Sequence, residues 1–244
     1  MVQIPNGNET KTVRAIERAI NVLACFDHQT PELSVTYLQK HTGLSRPTLY
    51  RILTTLEGKG VIRSFGHPQR FALGHEASRL AARWIGQDEF QRAARPVLQR
   101  LWEQTDETVA LFVATDNGRK ICIEELQSRQ ALTFKRGVGF TEPLSVGASG
   151  KAMLAFTGVA ADDPEYEAVR KTGVRVSKGE IIAGAVAIAA PVFDRDGSVK
   201  GSVCIFGPEV RLSDSRRDSC IEQVREASQE ISSALGYTVQ AVAE

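Results

Sequence analysis

Two short stretches carry side chains whose types and spacing could do chemistry. The first is Ser45-Arg46-Pro47-Thr48-Leu49-Tyr50-Arg51-Ile52-Leu53-Thr54-Thr55-Leu56. Leu49, Ile52, Leu53 and Leu56 recur at the three-four spacing of one helix face, in a stripe of roughly 100°. Pro47, Tyr50, Arg51, Thr54 and Thr55 lie opposite, with Arg46 and Thr48 flanking them at the N-terminal end. Arginine pairs with guanine edges or phosphate, threonine offers a hydroxyl or a methyl, and tyrosine reaches phosphate, so this face suits the major groove of double-stranded DNA. Ser45 is the expected N-cap, its hydroxyl accepting from the first-turn N–H groups. Pro47 falls in that first turn, where its missing N–H costs little.

The second stretch is Gly147-Ala148-Ser149-Gly150-Lys151. Small residues there let backbone N–H groups point into a cavity at the start of a helix expected over 151–156, and such a start favours a carboxylate. A plain glycine-rich helix entry is the other reading of the same residues. Lys151 is expected to point outward. The stretch lacks the first glycine and the closing Ser/Thr of a phosphate-binding loop and is not G-x-S-x-G, so neither enzyme reading holds. The four cysteines, Cys25, Cys122, Cys204 and Cys220, show no CxxC spacing. No disulfide framework, metal site or cofactor is implied, and a reducing compartment is expected. A redox-responsive protein or an enzyme using Cys204 or Cys220 is the alternative function; both lie in apolar or helical patterns, where an inert thiol is commoner.

The elements that must position these residues can be read outward from them. Leu33 to Thr42 forms a helix capped by Ser34, and Gly43 supplies the sharp turn into the reading helix. Gly58-Lys59-Gly60 stops that helix. Val61-Ile62-Arg63 and Arg70-Phe71-Ala72-Leu73 flank a turn-rich segment as a two-stranded wing, with Arg63 and Arg70 placed to hold phosphate. The unit is a winged helix-turn-helix. Residues 34–75 carry six Lys and Arg against the single acid Glu57, a net +5, which is the electrostatic footprint expected of DNA binding.

At 244 residues and 42% hydrophobic content the chain can hold two domains. Its overall charge of +1 says nothing of partners. Residues 1–11 read as a flexible polar tail, without a signal peptide. No run is long and apolar enough for a bilayer, so no membrane partner and a cytoplasmic location are expected. Thr12 should cap a first helix whose Val13, Ile16, Ile20 and Leu23 cover the Leu49–Leu56 stripe, completing a DNA-binding domain over 12–75. A linker helix follows over 76–90. Its stripe of Ala77, Leu80, Ala81, Trp84 and Ile85 must be buried, either by the second domain or, as expected here, by a symmetric helix-on-helix contact through Leu80, Ala81, Trp84 and Ile85. Residues 91–244 are slightly acidic and read as α+β: a helix over 92–104, a hairpin turning at Asn117-Gly118, a short strand over 131–134, a second hairpin turning at Asp196-Gly197, and a long helix over 212–235.

With these pieces placed, the chain resembles the IclR family of bacterial transcription regulators over nearly its whole length. The resemblance rests on the reading helices, the wing ending Phe71-Ala72-Leu73-Gly74, and Val138-Gly139-Phe140-Thr141-Glu142-Pro143-Leu144-Ser145-Val146-Gly147-Ala148-Ser149-Gly150-Lys151-Ala152-Met153-Leu154-Ala155. It continues in Ile188-Ala189-Ala190-Pro191-Val192-Phe193-Asp194-Arg195-Asp196-Gly197 and Ser202-Val203-Cys204-Ile205-Phe206-Gly207-Pro208. It implies a GAF-like second domain that binds a small-molecule effector, often a carboxylate, and a homodimer or tetramer on a palindromic operator. Effector contacts would fall on Leu144, Gly147, Ala148, Ser149 and Gly150, and on Ser177, Ala187, Cys204 and Phe206. The chain departs from the family between Phe156 and Gly173, where only a turn-rich linker and one short helix fit. The matched pocket positions are also mostly apolar here, so the expected effector is a small carboxylate with a substantial apolar or aromatic body.

Overall fold

The computed structural model describes residues 12–26, 30–85, 89–159 and 162–238; the side chains of 82–85 lie outside that description. The expected tail over 1–11 also lies outside it. The chain divides into two units, Met1–Arg83 and Trp84–Glu244, so the expected linker over 76–90 is shared between them rather than standing as a body of its own.

The first unit runs α1 (Arg14–Leu23), β1 (Leu33–Ser34), α2 (Val35–Thr42), α3 (Arg46–Gly58), β2 (Ile62–Phe65), β3 (Arg70–Leu73) and α4 (His75–Ile85), the last crossing into the second unit. The helix-turn-helix and wing stand where the sequence puts them. Ser34 caps α2 by accepting from Tyr37 N–H at 3.2 Å. Gly43 closes that helix in the left-handed region at φ +66°, a conformation glycine adopts without strain. The wing strands pair antiparallel, and β1 adds a third strand through Leu33 and Phe71. Leu49 and Leu53 of α3 are buried with Val22, Leu33, Leu38, Ile62 and Phe71.

Three local expectations are corrected here. The cap of α1 is Val13, not Thr12, and it makes no side-chain hydrogen bond. Ser45 is the N-cap residue of α3, yet its hydroxyl meets Thr48 Oγ1 at 2.9 Å rather than a first-turn N–H. Most of the α1 stripe does not cover α3: Val13, Ile16 and Ile20 are each more than half exposed. Only the C-terminal end of α1 reaches the core, through Val22 and Leu23. On α4, Leu80 and Ala81 are exposed, and the side chains of Trp84 and Ile85 fall outside the described residues.

The second unit is a six-stranded antiparallel sheet in the order β6 (Thr141–Pro143), β5 (Arg119–Leu126), β4 (Thr108–Ala114), β9 (Val199–Pro208), β8 (Ala185–Phe193), β7 (Arg175–Lys178). This is the α+β arrangement expected. Residues 131–134 are loop, not strand; the strand that pairs at this edge is β6, beside β5. Alternation along the strands sorts side chains by size. Val109, Leu111, Val186, Ile188, Val203 and Ile205 face α5 (Glu89–Thr105) and α8 (Asp214–Ala234) and make the main core. Ala110, Phe112, Ala187, Ala189, Cys204 and Phe206 face α6 (Gly147–Leu154). Small residues set among aromatics on that second face leave space, and the cavity lies there. The one short helix expected between Phe156 and Gly173 is α7 (Pro164–Thr172), capped by Asp163.

Candidate functional site

On α3 the exposed face carries Arg46, Pro47, Tyr50, Arg51, Thr54 and Thr55, with Thr48 half-buried. The Arg46 guanidinium lies 5.8 Å from the Tyr50 ring centroid, a cation–π contact that orients both at the helix start. Thr48, Arg51 and Thr55 also line a groove shared with Ala15, Arg18 and Ala19 of α1. Ser45 stands exposed before the helix, and Arg63 and Arg70 are exposed on the wing. Glu57, the one acid of this basic stretch, is turned to the wing, accepting from Ser64 N–H at 3.1 Å and from its hydroxyl at 2.5 Å. Among the described residues no carboxylate pairs with Arg46, Arg51, Arg63 or Arg70. The unit therefore presents uncompensated cations beside groove-sized side chains.

In the second unit a cavity of about 40 Å³ lies between α6 and the sheet. Ala148, Ser149, Ser177, Ala187, Cys204 and Phe206 all line it. The register explains how residues far apart in sequence meet: Ser177 pairs with Ala187 and Ala187 with Phe206 across β7, β8 and β9, while Ala189, Cys204 and Ala110 make the next row. Leu144, Gly147 and Gly150 are not among the lining residues. Leu144 and Gly150 bring α6 close, while Gly147 N–H donates to the lining residue Glu180. A Cβ at Gly150 would stand 1.9 Å from the Leu144 carbonyl oxygen, and Leu144 itself packs beneath the helix.

The helix does not begin at Lys151. It begins at Gly147, so the glycine-rich residues are its first turn. Lys151 does not point freely outward either. Its Nζ lies 2.8 Å from Glu180 Oε1 and 3.1 Å from Glu165 Oε1, and the side chain is mostly covered.

Several lining residues were not singled out from the sequence: Phe112, Phe134, Arg136, Glu142, Glu180 and Ile181. The Arg136 guanidinium rests 5.0 Å from the Phe140 ring centroid, and no carboxylate pairs with it among the described residues. The only hint in the sequence was Lys135-Arg136 set between Phe134 and Phe140. Beside the cavity Lys120 is fully buried. It donates to the Val146 carbonyl at 2.5 Å and pairs with Glu142 at 3.2 Å. Burial holds the ammonium below its usual pKa, with the Glu142 carboxylate opposing. A lysine in the alternating run Lys120-Ile121-Cys122-Ile123 was the signal for a buried charge on the cavity face.

The thiols are poor nucleophiles. Burial pushes Cys204 up to about 12, although Lys120 opposes it, and burial pushes Cys220 up as well. A thiol so raised holds almost no thiolate near neutrality. Among the described residues no His, Cys, Asp and Glu cluster could hold a metal ion, and no helix is long and apolar enough to cross a membrane.

Comparison with known proteins matches both units. A family model described as "IclR helix-turn-helix domain" covers residues 15–64. One described as "Bacterial transcriptional regulator IclR C-terminal" covers 83–166 and 163–233. The HTH-type transcriptional regulator BhcR of Paracoccus denitrificans is 27% identical over 90% of this chain and 86% of its own. The transcriptional repressor IclR of Escherichia coli is 24% identical over 93% of this chain and 92% of its own. The crystal structure of an IclR transcriptional regulator from Alicyclobacillus acidocaldarius shares the fold at a TM-score of 0.79, with 22% identity over 92% of this chain and all of that one. These relatives are transcription regulators, not enzymes.

Proposed function

Since the chain belongs to the IclR family of DNA-binding transcriptional regulators, we propose that it reads a palindromic operator as a homodimer or tetramer and alters its hold on that DNA when a small carboxylate enters the cavity of the second unit. The observation that carries the DNA reading is the exposed α3 face, where Arg46, Tyr50, Arg51 and Thr54 meet no carboxylate among the described residues. Arg46, at the helix start, makes the base contact, and Arg51, Arg63 and Arg70 hold phosphate. Self-association draws on the exposed Leu80 of α4 and on the exposed Val13, Ile16 and Ile20 of α1. Each would otherwise leave apolar surface in water at roughly 25 cal/mol per Å². A cytoplasmic location goes with this reading.

The effector reading rests on the cavity wall. Arg136 has no carboxylate partner for its guanidinium among the described residues, and Phe112, Phe134 and Phe206 offer an apolar body its surroundings. An acid with an aromatic or branched body fills such a wall. A short hydroxy or keto acid would leave buried polar groups unpaired against Ala187 and Cys204, at about 1–3 kcal/mol each. The test is a thermal-shift screen of aromatic acids against short hydroxy acids, followed by operator titration with each hit. An acid that stabilises the protein and shifts operator affinity supports the proposal. Stabilisation by short polar acids alone, or by none, overturns the effector part.

A further inference from the structure

The carboxylate that the start of α6 attracts is already present in the second unit, and it belongs to the chain itself. Glu180 sits in the segment 179–184 that joins β7 to β8. Its Oε1 accepts from Gly147 N–H at 3.1 Å and lies 2.8 Å from Lys151 Nζ. The next residue, Ile181, seats on Gly147, where a Cβ would stand 2.4 Å from Ile181 Cδ1. Two consecutive residues therefore hold the tip of the segment against the first turn of α6, while Gly179 N–H to Ala185 O fixes its base at 2.8 Å.

The space beneath this segment is about 40 Å³, whereas a cavity that admits benzene measures roughly 150 Å³. No acid with a ring-sized body fits while the segment is closed. Yet the cavity is equipped for oxygen atoms. Ser149 is 5% exposed and Ser177 7% exposed, both line it, and neither hydroxyl has a hydrogen-bond partner among the described residues. Neither oxygen is among the fully buried side-chain atoms of the described residues that lack a partner, so both reach the cavity space and are free to hydrogen-bond the carboxylate oxygens of a guest there.

We propose that Glu180 is an internal stand-in for the effector's carboxylate: an entering acid takes over Gly147 N–H and Lys151, reaches Ser149 or Ser177 with its oxygens, and releases the segment 179–184 as a lid. This rests on the carboxylate reading of the cavity given above. The exchange swaps one carboxylate for another, so the helix start keeps its counter-charge and Lys151 keeps two carboxylate neighbours, one of them Glu165. Uncharged ligands cannot make that swap. A carboxylate tethered by a short segment also competes at an effective concentration of about millimolar. The entering acid must therefore bring apolar surface of its own to win, which selects for a body and sets a threshold on its concentration.

The test uses the full-length protein and Glu180→Gln, titrated calorimetrically with benzoate, phenylacetate and, as the uncharged control, benzamide. Glutamine keeps the shape and the Gly147 contact but gives up the charge at the helix start and one of the two carboxylates that hold Lys151. The acids should bind Glu180→Gln about tenfold more tightly than the wild type, on the scale of effective-concentration effects, with benzamide unchanged. Equal or weaker binding of the acids to the variant, or an equal gain for benzamide, overturns the proposal while leaving the carboxylate reading standing. Binding of no acid to either protein overturns both. Hydrogen exchange gives a readout that needs no variant. Adding benzoate to the wild type should speed exchange over 179–184 while 146–152 stays protected, and greater protection over 179–184 would show that Glu180 keeps its place.

Discussion

On α3 the side chains that can meet a partner stand exposed, and among the described residues no carboxylate pairs with them. Around the cavity of the second unit most charges are already engaged with one another, Lys120 with Glu142 and Lys151 with both Glu165 and Glu180, and Arg136 is the exception, stacked on Phe140 instead. A surface of the first kind gains contacts when its partner arrives and loses little by waiting in water. A site of the second kind must exchange contacts. Changes on α3 should therefore show in DNA affinity and hardly in stability, whereas changes around the cavity should show in stability first.

The sharpest way to break this contrast is Lys120→Ala. It would leave the nearly buried Glu142 carboxylate and the Val146 carbonyl without their partner. Removing one member of a buried pair costs about 3–5 kcal/mol, so urea unfolding of the second unit should shift by that order. Arg51→Ala, in contrast, should stay within about 0.5 kcal/mol of the wild type in stability. A Lys120→Ala protein as stable as the wild type would mean that the cavity polar groups are solvated, not mutually held.

Next in size is operator binding. Arg46→Ala should cost about 1–3 kcal/mol of affinity and relax preference at one base position. Arg63→Ala and Arg70→Ala on the wing should each weaken binding to all sequences alike and lower the salt slope by about 1. Titrations across a salt series separate the two behaviours. If Arg46→Ala also weakens all sequences equally, its contact is to phosphate and the base reading moves further along α3.

The same contrast decides what the sequence could reveal. The α3 face was legible because it depends on one helix: a three-four stripe, a glycine turn and a proline in the first turn suffice to place every exposed side chain. The cavity was legible only through the family resemblance, which named Ser177, Ala187, Cys204 and Phe206; these line one cavity because β7, β8 and β9 run in simple register. It was not legible where loops return. Nothing local in Gly179-Glu180-Ile181 says that its carboxylate comes back to the first turn of a helix thirty-odd residues earlier; that is a long-range contact. Lys120 and Glu142 were missed because their pairing depends on the edge strand β6, which was expected elsewhere, over 131–134. The α1 stripe misled for a related reason. Periodicity shows that a face is apolar but not what covers it, and Ile16 and Ile20 are left in water in this unit.

That exposed apolar surface gives a smaller test. Leu80→Asp on α4 or Ile16→Asp on α1 should weaken self-association by about 1–3 kcal/mol if the residue is buried between copies, since an unpaired polar group would then be desolvated. Sedimentation across a concentration series would read it. Neither should alter the unfolding of an isolated subunit by more than about 0.5 kcal/mol, because both positions are exposed within it. An unchanged association constant in both variants would move the contact off these helices.

The smallest expected effect concerns Glu180 and pH. Burial alone would raise its carboxyl pKa, but the hydrogen bonds from Lys151 and Gly147, with Lys151 and Arg175 charges nearby, hold it below the ordinary value of 4.5. The charged groups around it are Lys151 on α6, Arg175 on β7 and Glu165 on α7, the last competing for both cations. A carboxyl whose folded pKa lies below its unfolded one binds its proton more readily when the chain unfolds. Its stabilising contribution is therefore complete above the unfolded value and is lost as pH falls through the folded one. The loss should begin near pH 4.5 and finish below it. An acid at a helix start contributes about 0.3–1 kcal/mol, and the partial exposure of this pair keeps the figure at the lower end. Glu180→Gln should flatten the stability–pH curve of the second unit by that amount as pH falls through and below 4.5, and the difference between the two proteins should vanish at the acid end. A difference that instead grows as pH falls would mean that Glu180 holds the first turn of α6 as a protonated acid, with no charge to surrender to a ligand.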